Sequence, residues 1–201
     1  MAELYTSADG GGGRSTVTTA ADSIDSFPSV RSNASGQYNF QNSSQYANAI
    51  ASRAYTYGGT SRMSWTNRVF LNFDTSGITV EPLSATLKLY GYSSWSGDII
   101  AIKHSNTGDL NGTNWDLLDG CSSQLAASDG AGTGTLASCA TNYSAEIDIS
   151  GTTSGYNDIA LNSTAITDMT NDSVLRIALV DHTHDYLDIT PYPSNYQGVG
   201  I

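Results

Sequence analysis

The sequence predicts an all-β protein: a jelly-roll-like antiparallel β-sandwich with one short helix and long polar loops. Three observations predict it. Apolar and polar residues alternate with a period of two in several separate segments, turn-forming Gly, Ser, Asn and Asp residues punctuate them, and one stretch alone, residues 163–170 behind Asn162 or Ser163 as cap, suits a helix. At 201 residues the chain fits a single β-rich domain over residues 15–201.

Residues 1–14 are expected to form a flexible N-terminal arm. The glycine tract at residues 10–13 acts as a hinge, and Leu4 and Tyr5 ahead of it suit an assembly arm that adds a strand to a neighbour's sheet edge; a disordered tail is the alternative. Residues 15–64 are rich in Ser, Asn, Gln and Tyr, with short β segments expected near 16–19 and 49–56. Val69, Leu71 and Phe73 then alternate with Arg68, Phe70 and Asn72, and Ala85, Leu87 and Leu89 with Thr86, Lys88 and Tyr90. Both read as half-buried strands, joined by turn residues that include Thr75, Ser76, Gly77 and Pro82. The Asp74 carboxylate is placed to accept the amides of Ser76 and Gly77 and so fix the strand exit. Further strands are expected at 99–104, 145–149, 156–161 and 174–181, the last apolar enough to be central. About eight strands and one helix suit a sandwich.

The segment NRVFLNFDTSGITVEPLSATLKLYG, residues 67–91, resembles the signature of DNRLRE-type β-sandwich modules, which include carbohydrate-binding modules of secreted bacterial proteins. It is more similar still to the version found in tailed-phage virion proteins, where the signature precedes a strand of the form GYNxxxLN. Here GYNDIALN stands at residues 155–162. The resemblance implies a sandwich fold and, less specifically, a virion or glycan-binding role. The resembling modules usually close with a Leu-x-Val-x-Tyr strand; Val199 and Ile201 are placed to begin it, or another chain completes the sheet.

Nineteen acidic against eight basic residues give a net charge of −11. Lys88 and Lys103 are the only lysines, so there is little with which to neutralise phosphates, and nucleic acid is not an expected partner. No stretch reaches the length of a membrane span, and MAELYTSADGGGG has no export-signal pattern. The location expected is a virion surface or the extracellular space. Sequons at Asn33, Asn42, Asn111, Asn142, Asn162 and Asn171 matter only in a glycosylating compartment.

Cys121 and Cys139 bracket a Gly/Ala/Ser-rich excursion. A disulfide and two unpaired thiols are both open readings, the first stabilising by about 3 kcal/mol through chain entropy. His182, His184 and Asp185 are the local cluster of metal-ligand types, and two histidines two apart on a strand project from one face. A strand ending in a polar loop is the plainer reading. Asp22, Asp25, Asp74, Asp109, Asp116 and Asp119 supply loop oxygens for a structural calcium, without a calcium-loop pattern; no other cofactor is expected. Trp95, Trp115 and Tyr92 are candidates for stacking on sugar rings, together with Trp65, Tyr90 and Tyr143, while twelve tyrosines against four phenylalanines suit half-exposed, interfacial aromatics equally. The chain lacks a Gly-x-Ser-x-Gly elbow, an HExxH pair and a phosphate-cradling loop, so catalysis is not expected. The reading that results is a non-enzymatic phage structural protein, a capsid decoration, cement or fibre subunit assembling with copies of itself or with other virion proteins. The alternatives are a carbohydrate-binding module and an extracellular filament subunit joined by strand donation.

Overall fold

The computed structural model describes residues 6–20, 37–38, 50–57, 61–91, 93–107, 117–121, 135–149, 155–189 and 196–200; of these, 6–20, 37–38, 50–57, 61–65, 91, 93–96 and 196–200 are described by backbone path alone. The strands are β1 Thr6–Ala20, β2 Gln37–Tyr38, β3 Ile50–Tyr57, β4 Ser61–Asp74, β5 Ala85–Gly91, β6 Ser93–Ser96, β7 Asp98–Lys103, β8 Ile147–Asp148, β9 Gly155–Leu161, β10 Val174–Asp181 and β11 Tyr196–Gly200. A short helical turn α1, Leu136–Cys139, precedes β8, and helix α2, Ser163–Asn171, separates β9 from β10. The fold is an antiparallel all-β sandwich, as the alternating segments predict.

One large sheet runs β6-β11-β3-β4-β10-β7-β8, with β1 beside β4 and β2 beside β1; β5 and β9 form a separate two-stranded sheet. β4 organises the large sheet. Its first half pairs with β3 and its second half with β10, while β1 pairs along nearly all of it. The segment 67–91 therefore does not close into a hairpin. β4 and β5 lie in different sheets, and Asp74 turns the chain from one to the other by accepting both the Ser76 amide (2.9 Å) and its hydroxyl (2.6 Å).

The segment expected as a flexible arm runs from Thr6 onward as part of β1, and Leu4 and Tyr5 lie outside the described residues. The glycine tract sits within the ladder. Gly10 faces Phe70 and Gly13 faces Arg68, so β1 spends three steps where β4 spends two, and glycines accommodate such a bulge without a side chain to place. β11 lies between β3 and β6, paired to both.

The core has two parts because, over the described side chains, β4, β7 and β10 of the large sheet are buried on both faces. Val69, Leu71 and Phe73 of β4, Ile99 and Ala101 of β7, and Leu175, Ile177 and Leu179 of β10 pack against Leu87 of β5, Ile159 and Leu161 of β9, and Ala165 and Met169 of α2. Each fully buried aliphatic side chain contributes roughly 1.5–3 kcal/mol. Asn162 caps α2 by accepting the Ala165 amide at 3.1 Å, as its position ahead of the helix predicts.

The opposite face carries Phe70, Ile100, Ile102, Ala178 and Val180, covered by Leu118, Cys121, Leu136 and Tyr186. Phe70 and Arg68, read from alternation as the solvent side of a half-buried strand, are 4% and 0% exposed. Alternation marks which residues share a face; it does not tell whether a second layer covers the other one. That layer consists of residues 117–121, α1 and the turn after β10, and Cys121 and Cys139 join its first two pieces in a disulfide with Cα atoms 5.0 Å apart. Gly120 makes the close approach possible. Its φ is +83°, and a Cβ there would collide with the Cys139 carbonyl oxygen.

The double variant Cys121→Ser/Cys139→Ser is expected to lose about 3 kcal/mol of unfolding free energy in urea titrations, the chain-entropy value for a loop of this size. An unchanged midpoint would show that the loop is closed as well by packing alone.

Candidate functional site

Where β10 ends, Asp181 accepts the His184 amide at 2.7 Å and the Leu187 amide returns to the His182 carbonyl at 2.9 Å. These bonds wind residues His182–Tyr186 into a single π-helical turn. The sequence predicts His182 and His184 on one face, as on a strand. In a helical turn residues two apart point to nearly opposite sides, and the three ligand-type residues separate accordingly. The His184 ring is turned inward, with Nδ1–H donating to the Ile189 carbonyl. Asp185 is fully buried and receives two bonds of 2.7 Å from Arg68, at Nε and Nη2. His182 alone faces a site, stacked on Tyr186 with ring centroids 5.2 Å apart.

Its partners come from two other segments. His182 Nδ1 stands 3.5 Å from Asp98 Oδ2 and 3.5 Å from Glu146 Oε2, and ligand-type atoms of the three residues all lie within 4.8 Å of one another. The strand register assembles them: Asp181 pairs with Ile99, and Ile99 with Ile147, so the start of β7, the approach to β8 and the end of β10 meet at one end of the sheet. Burial by itself would raise the Asp98 pKa, but the hydrogen bonds that Thr183 donates, and then the contacts with Glu146 and His182, outweigh it and hold the carboxyl below its ordinary range. Neither Asp98 nor Glu146 is legible as a site residue in the sequence, because nothing local marks them. Only the strand order brings them to His182.

The other buried polar groups near these strands have structural partners. Tyr143, fully buried, donates to Asp168 Oδ2 at 2.6 Å, and Lys103 reaches the same oxygen at 3.0 Å. Burial and then the Asp168 contact push the Tyr143 phenol far up. Asp119 accepts from Thr141 at 2.9 Å, and Asp74 serves its turn. Both are thereby occupied in loop geometry, while Asp22, Asp25, Asp109 and Asp116 lie outside the described residues. His104 is buried edge-on against Phe70. Desolvation drives its pKa down to about 4, with the Arg176 charge adding to the shift and the Leu71 carbonyl opposing it. Asp181, by contrast, is pushed up to about 6, chiefly by burial.

A second surface lies on the outward face of the β5–β9 sheet. Tyr90 pairs with Tyr156 across the strands, 55% and 73% exposed, with rings edge to face at 5.3 Å. Beside them Lys88 and Asp158, also directly opposite, form an exposed ion pair at 2.8 Å. The loop leading into β5 exposes Val80 and Leu83. Of the aromatics proposed from sequence to stack on sugars, Tyr143 is ruled out by burial. Trp95 falls in β6 and Trp65 in β4, both described by backbone only, and Trp115 and Tyr92 lie outside the described residues. No helix among the described residues is long and apolar enough to cross a membrane.

Compared with protein-family models and with curated proteins, the chain matches none.

Two outcomes test this account. Arg68→Met or Asp185→Leu alone is expected to cost about 3–5 kcal/mol, each removing the bidentate partner of a buried charge, whereas the double variant recovers part of that loss; additive losses in a denaturation cycle would contradict it. His104 binds a proton near pH 6.5 when unfolded but only near pH 4 when folded. Its contribution is therefore complete above pH 6.5 and is lost as pH falls toward 4. Asp181, which keeps its proton to about pH 6 in the fold, works in the opposite sense over an overlapping window. The difference between wild type and His104→Gln isolates the histidine: the variant's stability is expected to fall less steeply between pH 6.5 and 4, and parallel curves would refute the assignment.

Proposed function

We propose that this chain is a non-enzymatic structural protein, a β-sandwich subunit of a tailed-phage virion that decorates or cements the capsid or forms part of a fibre. The observation that carries the reading is the outward face of the β5–β9 sheet with its adjoining loop, where Tyr90, Tyr156, Val80 and Leu83 are all exposed. Two exposed tyrosines paired across the strands beside an ion pair, with two exposed aliphatic side chains in the loop before the other end of β5, have the make-up of a protein–protein contact. The resemblance of residues 67–91 and 155–162 to the phage-type modules supports the same reading. So does the disulfide, which suits a virion surface or another oxidising exterior.

The partners in this reading are further copies of the chain and other virion proteins. β1 offers a second route to assembly. It pairs with β4 on one side, and among the described strands its other contact is the two-residue β2 at Gly13 and Arg14. Exchange of β1 between copies would preserve every β4 pairing, which keeps the strand-donating filament as a form of the same proposal. The exposed Tyr90–Tyr156 pair beside Lys88 and Asp158 favours one other reading, a carbohydrate-binding module in which a ring face stacks on a sugar.

The purified chain is expected to form discrete oligomers or filaments by light scattering and negative-stain microscopy. Replacing Leu83, Tyr90 and Tyr156 by Ser should weaken association at least about tenfold, the effect of losing roughly 1.4 kcal/mol, with unchanged circular dichroism. A monomer at all concentrations that binds a glycan array through the same tyrosines would replace the structural reading with the sugar-binding one.

A further inference from the structure

We propose that Asp98, Glu146 and His182 form a binding site for a single divalent transition-metal cation of the zinc type. This goes beyond the assembly role and does not depend on it.

The three donors come from the start of β7, the residue before β8 and the turn after β10, held together by the ladders β10–β7 and β7–β8. In a tetrahedral site with metal–ligand bonds of about 2.0–2.1 Å, neighbouring donor atoms stand roughly 3.3 Å apart. The two distances from His182 Nδ1, 3.5 Å to each carboxylate oxygen, are already close to that spacing. Nδ1 is buried and stands 3.5 Å from an oxygen of each carboxylate, with no short hydrogen bond to either. With the ring neutral and its proton on Nε2, the Nδ1 lone pair is available to a cation that the two carboxylates share.

The orientation of each ligand is fixed from behind. Stacking on Tyr186 sets the plane of the His182 ring. Thr183 holds Asp98, its amide 3.3 Å from Oδ1 and its hydroxyl 2.9 and 2.8 Å from the two oxygens. Such outer contacts are what a metal site requires of its surroundings. Glu146 is half-exposed, so the site opens to solvent on its side, which supplies an entry path and leaves room for water as the remaining ligand. One nitrogen with two carboxylate oxygens is a borderline donor set that suits zinc, cobalt or manganese over copper(I). A dication also offsets two carboxylates placed within 4.8 Å of one ring.

The test uses the full chain, stripped with chelator and titrated with Zn(II) by calorimetry, and with Co(II) followed by its visible absorption. One equivalent is expected to bind saturably. Glu146→Gln should weaken it at least tenfold, and His182→Phe, which keeps a ring to stack on Tyr186, should abolish it. Asp158→Asn, in the exposed ion pair of the β5–β9 sheet, should leave it unchanged. As a readout that needs no variant, Zn(II) should shift the His182 ring resonances in the NMR spectrum and leave those of buried His104 in place. Absence of stoichiometric binding, equal binding by wild type and both ligand variants, or unshifted His182 resonances would overturn the proposal and leave an ion-paired triad.

Discussion

The bidentate pair between Arg68 and Asp185 is the constraint on which much of this structure depends. Both side chains are fully buried, and they join the middle of β4 to a turn 117 residues further along the chain. Removing two charges from water costs several kcal/mol per ion, and their mutual attraction with two short hydrogen bonds roughly offsets it. The pair is therefore better understood as a selector of arrangement than as a source of net stability. A slip of β4 by one residue would turn Arg68 to the opposite face of the sheet, among the apolar side chains of the other core, and break its pair with Asp185. Because Asp185 belongs to the same turn as His182, fixing that turn against β4 also fixes where the His182 ring can point.

Burial of both faces of β4, β7 and β10 follows from the same arrangement. Antiparallel sheets commonly leave one face to solvent, and a strand that alternates is the usual sign of it. Here the second face is covered by short irregular pieces. Leu118, Cys121, Leu136 and Tyr186 supply its apolar contacts, and the disulfide and the left-handed Gly120 let two loops approach closely enough to act as one cover. Loops that bury backbone must satisfy its polar groups. They do so through bonds such as Asp119 N to the Lys103 carbonyl at 3.1 Å and Lys103 N to the Thr141 carbonyl at 2.8 Å.

The proposed roles divide between two kinds of surface. The outward face of β5–β9 is built from cross-strand pairs, Tyr90 with Tyr156 and Lys88 with Asp158, which offers area for contact. The cluster around His182 is compact and gathers three donors at the end of three strands. The first suits assembly and the second suits a small cation, so each proposal can stand or fall separately.

Residues close in sequence were legible from the sequence. Strand β10 at Val174–Asp181, the Asn162 cap of α2, the Asp74 turn and the sandwich class all rest on periodicity or on bonds within a few residues, and these interactions are strong enough locally to show in the order of residues. Tertiary structure decided what depends on partners far along the chain. It separated β4 and β5 into different sheets, set Thr6–Ala20 beside β4, buried Arg68 with Asp185, and turned His182 away from His184 toward Asp98 and Glu146. The physical reason is that alternation specifies only the side to which a residue points. What waits on that side is settled by strand order, register and covering layers, and those are properties of the whole chain.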